Sequence, residues 1–335
     1  MRILVVDVAA SGGGALSVLN RYIEEYKLDT ENQYLVCVSV LDYEGSENVS
    51  FVKVPWVKRS YAHRLYFDSV YVKRLIKKYK PDVVISLQNK GFNIKKVRQE
   101  VLFHNALFIC EKRFKLGESR KMWLYQNPIS FFTGRSLKRA DEIYVQAEWI
   151  KNGLVKKWRL DKNKITVKRP EINGIFCAPS EPRGQIKKLF YPAGYYAYKN
   201  HRVLLQACSD LWNEKGREYF SLALTGEESS MPEKCKRMLE GKNYPIEFLG
   251  NLSPEQMKNQ YSEAILVFPS YIETAGLPLI EAKCCGCDII AADLEYARES
   301  VGDYDKVRYF SPFDTEDLKL AIREKIDNGG KDRSV

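Results

Sequence analysis

Six short apolar runs rich in β-branched residues, each a dozen or more residues from the next, set the strongest limit on how the first half of this chain can fold. Ile3–Val8 is continuous, runs into Ser11-Gly12-Gly13-Gly14 and gives way to a helical stretch from Ala15 to about Tyr26. Strand, glycine turn and helix in that order open a doubly wound α/β unit. Further strands are expected at Tyr34–Val40, Val83–Leu87, Val101–His104, Glu142–Gln146 and Lys164–Lys168. Helices are expected at about 61–79, closed by Pro81, and at about 148–158. Such spacing suits parallel neighbours, which need long crossovers. Residues 170–186 hold Pro170, Gly174, Pro179, Pro182 and Gly184, with few periodic apolar positions, and read as a linker. The pattern then restarts. Strands are expected at Leu189–Pro192, Phe220–Leu224, Ile246–Leu249, Ala264–Phe268 and Asp288–Ala291, and helices at about 200–214, 232–240, 254–261, 277–285 and 315–326. After the last helix, Asn328-Gly329-Gly330 reads as a stop signal. The expectation is two α/β domains, 1–170 and 171–335.

Composition excludes several classes. The chain has 335 residues, 45% of them hydrophobic and 29% charged, enough apolar material for two cores. Runs such as Ala264–Phe268 and Ala106–Cys110 fall far short of the ~18 residues of a spanning helix. The opening Met1-Arg2-Ile3-Leu4-Val5-Val6-Asp7 meets an acid after four apolar residues, which fits a strand and not a secretory signal. The expected location is cytoplasmic, with any membrane contact peripheral on the inner face. Eight cysteines are scattered and the three histidines (63, 104 and 201) are far apart, so no metal site is expected and buried reduced thiols are.

Charge divides the chain. Residues 1–170 hold 32 Lys and Arg against 17 Asp and Glu, a net +15; residues 171–335 hold 21 against 26, a net −5. Residues 58–80 are densely basic and interleaved with aromatics, with Leu65, Val72, Leu75, Ile76 and Tyr79 as a core stripe at helical spacing. More basic clusters follow at Lys112, Arg113 and Lys115, at Arg120 and Lys121, and at Arg135, Lys138 and Arg139. Two readings stay open for this half: a solvated basic face, and a face for an anionic membrane surface.

Two segments bear on chemistry. Gly12–Gly14 fails the dinucleotide fingerprint, since Ser17 stands where the third glycine belongs, and no Gly-Lys-Ser/Thr follows for a P-loop. It is either a tight turn or a loop whose N–H groups approach an anion or a sugar. The second segment is Phe268-Pro269-Ser270-Tyr271-Ile272-Glu273-Thr274-Ala275-Gly276-Leu277-Pro278-Leu279-Ile280-Glu281-Ala282. A strand ends, a loop bears Glu273, Gly276 precedes a helix with Pro278 near its start, and Glu281 follows about a turn later. Two carboxylates thus flank a helix N-terminus able to take a phosphate, while each carboxylate can accept from neighbouring hydroxyls. That combination suits a nucleotide-diphosphate sugar.

Glu273 and Glu281, with these flanks, resemble the Glu-x7-Glu motif of retaining glycosyltransferases of family 4. Phe190-Tyr191-Pro192-Ala193-Gly194 through Tyr198-Lys199-Asn200-His201 resembles the opening of that family's second domain, and Tyr144-Val145-Gln146-Ala147-Glu148-Trp149 the close of its first. The resemblance implies a GT-B fold, two Rossmann-like domains facing each other across a cleft. The first would bind the acceptor and the second the donor. It implies that Lys199 binds the donor diphosphate, Glu281 the ribose and Glu273 the transferred sugar, with the backbone of Thr274, Ala275, Gly276 and Leu277 lining sugar and phosphates. His104, after Val101-Leu102-Phe103, would face the donor sugar; Gly13 and Gly14 would belong to the glycine loop near phosphate and acceptor.

The implied reaction moves a hexosyl-type sugar, with retention, from a nucleotide sugar to a glycan or lipid-linked glycan in bacterial surface polysaccharide assembly. No cofactor is implied beyond the nucleotide sugar as co-substrate. No metal is implied either, in keeping with the lack of an Asp-x-Asp in a donor-site context. Three features depart from the family pattern. Gly194 replaces an arginine usual five residues before the lysine, so one phosphate cation is either missing or supplied from elsewhere, for example by Arg202. Ala275 replaces an aromatic. Little sequence follows residue 325 to build the helix that often closes such folds. The competing reading is a nucleic-acid-binding protein that uses the basic half. It has no recognition signature and leaves the Glu-x7-Glu segment unexplained, so no nucleic-acid partner is expected.

Overall fold

The computed structural model describes residues 1–39, 42–177 and 186–328. The expected end of a strand at Val40, the linker positions Pro179, Pro182 and Gly184, and the stop at Gly329-Gly330 lie outside the described residues. The chain forms two compact units. One comprises Met1–Ile109 and Arg113–Arg169; the other comprises Pro170 onward together with Cys110–Lys112.

The first unit is built on seven strands: β1 Arg2–Asp7, β2 Gln33–Val38, β3 Val49–Lys53, β4 Val83–Ser86, β5 Arg98–Phe103, β6 Glu142–Val145 and β7 Ile165–Val167. Their order is β3-β2-β1-β4-β5-β6-β7 and every pairing is parallel. Alternation along β1 creates the two faces of the sheet. Ile3 and Val5 join Leu19 and Ile23 of the helix Gly13–Leu28 on one face. Leu4 and Val6 join Phe67, Val72 and Leu75 on the other. Coverage on both sides is why β1 reads as an unbroken apolar run. Each such side chain removed from water contributes roughly 1.5–3 kcal/mol.

Residues 61–79 do form one helical stretch, capped where Ser60 accepts from the His63 N–H. Its apolar stripe differs from the expected one. A π turn at Phe67–Tyr71 inserts extra chain into the helix and rotates the residues before it, so Phe67 is buried and Leu65 is exposed. Residues 120–137 form a second long helical stretch that the sequence reading missed. It too contains a π turn, Tyr125–Ile129, at Pro128, which has no N–H to continue the ladder.

The second unit repeats the architecture with β8 Lys188–Tyr191, β9 Ser221–Leu224, β10 Ile246–Phe248, β11 Ile265–Phe268, β12 Ile289–Ala292 and β13 Val307–Phe310, in the order β10-β9-β8-β11-β12-β13, all parallel. Every residue of β11 and β12 is buried. Strands β3 and β13 and the helix Glu295–Val301 had no counterpart in the sequence reading.

Candidate active site

In each sheet the chain reverses direction of travel at its middle, between β1 and β4 and between β8 and β11. Doubly wound sheets bind ligands outside the strand ends at that point. In the second unit, the loop after β8 and the loop after β11 meet there. The Tyr271 N–H donates to the Tyr198 carbonyl at 2.7 Å, and the Asn200 amide donates to the Pro269 and Pro312 carbonyls, each at 3.1 Å. Asn200 is buried with φ +57°, a left-handed conformation that asparagine tolerates. These contacts hold Lys199 and Glu273 together. Lys199 Nζ lies 2.5 Å from Glu273 Oε1, and both side chains are largely shielded from water. The Lys199 ammonium also lies 5.8 Å from the ring centres of Tyr198 and Phe268. Beneath it, the fully buried Tyr191 donates from its hydroxyl to the Lys199 carbonyl at 2.6 Å.

The loop is pinned from the other side by the helix Glu295–Val301. The Tyr296 hydroxyl donates to the Ser270 carbonyl at 2.6 Å, and the Ser300 hydroxyl lies 2.8 Å from the Ala275 carbonyl oxygen. Gly276 has φ +56°, and a Cβ there would stand 3.0 Å from Ser300 Oγ. Only glycine fits both the backbone and the space. The helix Leu277–Cys284 starts at once, with Pro278 in its first turn. Glu281, half-buried, accepts from the Tyr261 hydroxyl at 2.8 Å. Burial raises its pKa above the usual carboxylate value, and the Tyr261 bond works against that rise.

The structure therefore brings Lys199 and Glu273 into direct contact and places Thr274, Ala275, Gly276, Leu277 and Glu281 on the same loop and helix. Direct pairing of the lysine with the first glutamate was not expected. Nor were the roles of Tyr191, Asn200, Tyr261, Tyr296 and Ser300, which support the loops through contacts between residues distant in sequence. Arg202 is exposed on the helix His201–Lys215, and its field acts on the Cys235 thiol. Among the described residues no ion pair joins it to Glu273.

His104, Gly13 and Gly14 lie in the first unit. His104 follows β5; its N–H donates to Asn89 Oδ1 at 2.6 Å, and its Nε2 lies 3.3 Å from the Asn89 amide nitrogen. Burial lowers its pKa to about 4, so the ring is neutral at pH 7. Gly13 and Gly14 are the first two residues of a helix and not part of a loop, since the helix begins directly after Gly12. Their N–H groups fall in the first turn, which lacks partners within the helix.

Among the described residues no group of three or more His, Cys, Asp or Glu is placed to hold a metal. Cys284 and Cys287 have a Cys-x-x-Cys spacing, but Cys287 donates to the Ala264 and Asp288 carbonyls, and burial raises both thiol pKa values. No described helix is long and apolar enough to cross a membrane.

Two all-parallel sheets of this order, one after the other, define a GT-B fold. Residues 178–335 match the family of group 1 glycosyl transferases. The chain is 30% identical over 131 residues to the O-antigen chain mannosyltransferase B of Escherichia coli, a match that spans 38% of this chain and 34% of that relative. Among solved structures it is similar to a sucrose-phosphate synthase from Thermosynechococcus elongatus, with TM-score 0.71 and 17% identity over 98% of this chain and 90% of the other. It is likewise similar to Anabaena HepE in complex with UDP-glucose, with TM-score 0.65 and 14% identity over 98% and 90%. The chain thus shares the GT-B fold along its length, and its second half matches the group 1 glycosyl transferases.

Proposed function

We propose that the protein is a retaining, family 4 glycosyltransferase that moves a hexosyl-type sugar from a nucleotide-diphosphate sugar to a glycan or lipid-linked glycan. The observation that carries this reading is the Lys199–Glu273 contact at the β8/β11 switch point, with Glu281 one helical turn further on. Lys199 is the cation for the donor diphosphate. It stabilises the charge that grows on the departing nucleotide, and it needs no metal to do so. Glu273 exchanges part of its bond with Lys199 for hydroxyls of the transferred sugar. Glu281, steadied by Tyr261, accepts from the ribose diol. Neutral His104 offers a hydrogen bond to the sugar, and the first turn at Gly13 and Gly14 offers backbone donors. None of these groups is assigned as a nucleophile.

The group 1 match covers the proposed donor half, and two similar proteins, an O-antigen mannosyltransferase and a protein solved in complex with UDP-glucose, support the substrate class. They also support bacterial surface polysaccharide synthesis as the setting. A cytoplasmic enzyme docked on the inner membrane face by residues 58–80 fits the basic first half. Incubation with single nucleotide sugars and proton NMR of the released or transferred sugar tests the reading. One donor should be consumed, with the first-formed anomer matching the donor. An inverted first product, or no turnover of any nucleotide sugar, contradicts it.

A further inference from the structure

The first unit holds a cavity of about 430 Å³ between the stretches 61–79 and 120–137, lined on one side by Tyr61 and Leu65 and on the other by Ile129 and Phe132. Tyr61, Leu65 and Phe132 are 87%, 67% and 68% exposed, and Phe131, 57% exposed, packs beside Phe132 with ring centres 5.6 Å apart. Large apolar side chains gathered this way on a surface mark a binding site. The charged groups that line the cavity are one-sided: Arg64, Lys73, Lys90 and Arg139 against a single carboxylate, Asp68. Asp68 is already held by Lys90 and by Arg64, the latter at 3.3 Å. Lys73 and Arg139 have no ion-pair partner among the described residues. Burial first, and then repulsion from Arg64, lowers the Lys90 pKa to about 8 even though its contact with Asp68 works the other way.

A mostly apolar pocket with a few convergent cations calls for a ligand that is apolar at one end and anionic at the other. We propose that this cavity binds a long-chain alkyl phosphate of the lipid kind, its phosphate at Lys73, Lys90 and Arg139 and its chain against Tyr61, Leu65 and Phe132. It deepens the transferase reading and rests on it in one respect: the cavity would hold a lipid-borne acceptor by its phosphate. Sequence patterning marked residues 58–80 as a basic helix and Arg135, Lys138 and Arg139 as a separate basic cluster; the fold brings Arg139 to the same cavity, with the stretch 120–137 as its second wall.

The test is calorimetric titration of the full chain with decyl phosphate below its micelle concentration, with inorganic phosphate and decanol run alongside. Lys73→Glu/Arg139→Glu and Leu65→Ser/Phe132→Ser change exposed groups only, and melting curves check that both variants fold. Decyl phosphate should bind the native chain at least about tenfold more tightly than either control, and each double variant should lose about tenfold. Equal binding of inorganic phosphate, equal binding of decanol, or unchanged binding in both variants overturns the proposal. Sedimentation with phosphatidylglycerol vesicles distinguishes the two sources of phosphate. If the variants lose vesicle binding but keep decyl phosphate, the face only adsorbs to bilayers and the cavity claim fails. Stabilisation by a nucleoside diphosphate should be equal in all three proteins; its absence from all of them counts against the transferase reading and leaves the cavity result intact.

Discussion

The two sheets share one strand order through their first six strands, yet the chemistry at their switch points is opposite. At the end of β1, Asp7 is turned inward, buried, and bonded to the N–H groups of Ala9 and Ala10 at 3.1 and 3.0 Å. Burial raises its pKa to about 6. That carboxylate holds its own loop. At the end of β11, Glu273 meets an ammonium from the neighbouring loop, and hydroxyls from distant helices hold the loop instead. The fold supplies the same address twice; the loop residues decide whether a carboxylate is structural or free to meet a ligand.

The comparison predicts its own breaking points. The largest effect is expected from Lys199→Ala. Removing a preorganised group that faces developing charge typically costs about 10²–10³ in turnover. Sugar transfer should fall by that factor while the melting temperature changes little, and a variant with native turnover excludes the assigned role. Glu281→Ala should weaken nucleotide binding by about tenfold, the loss of one or two hydrogen bonds to a charged group. Because burial raises the Glu281 pKa, nucleotide affinity should begin to fall on acidification above the usual carboxylate range. Titration calorimetry across pH checks both statements. Gly276→Ala places a Cβ at a left-handed, crowded position and should cost on the order of 1–3 kcal/mol in chemical denaturation. The control is Gly12→Ala, where the backbone is extended and nothing lies within 4 Å of the added Cβ; it should cost far less.

The smallest effects sharpen the contrast through pH. Asp7 binds a proton more tightly folded (about 6) than unfolded (about 3.8), so its contribution to stability is full below pH 3.8 and is lost as pH rises through 6. His201 is the reverse. Burial lowers its pKa to about 4 from 6.5, so its contribution is present above pH 6.5 and lost as pH falls through 4. Each is worth on the order of 2–3 kcal/mol, and the two oppose each other between pH 4 and 6. Asp7→Asn should therefore steepen the loss of stability on acidification, and His201→Gln should flatten it. Urea midpoints at pH 4.5 and 7 measure both slopes.

Much of this was legible from residue order because strands covered on both faces must be apolar throughout. β1, β11 and β12 are such strands. β3 was not, since Ser50 and Lys53 break its run at the sheet edge, and β13, another edge strand, carries Arg308. The stretch 120–137 was hidden by Pro128 and Gly134, which ordinarily argue against a helix. In the candidate site, Glu273, Gly276 and Glu281 stand close together in sequence and could be seen as a pattern. Lys199 pairs across 74 positions, and Tyr261, Tyr296 and Ser300 act through hydroxyls whose targets only the packed chain reveals.

The most direct test is a thermal-shift panel of UDP, GDP, ADP, TDP and CMP against the native chain, Lys199→Ala and Glu281→Ala. A nucleotide at ~100 times its dissociation constant adds about 2.7 kcal/mol of stability, a clear rise in melting temperature. One diphosphate should stabilise the native chain and do so far less in either variant. If no nucleotide stabilises the native chain, or if both variants respond as it does, the β8/β11 crevice is not the donor site.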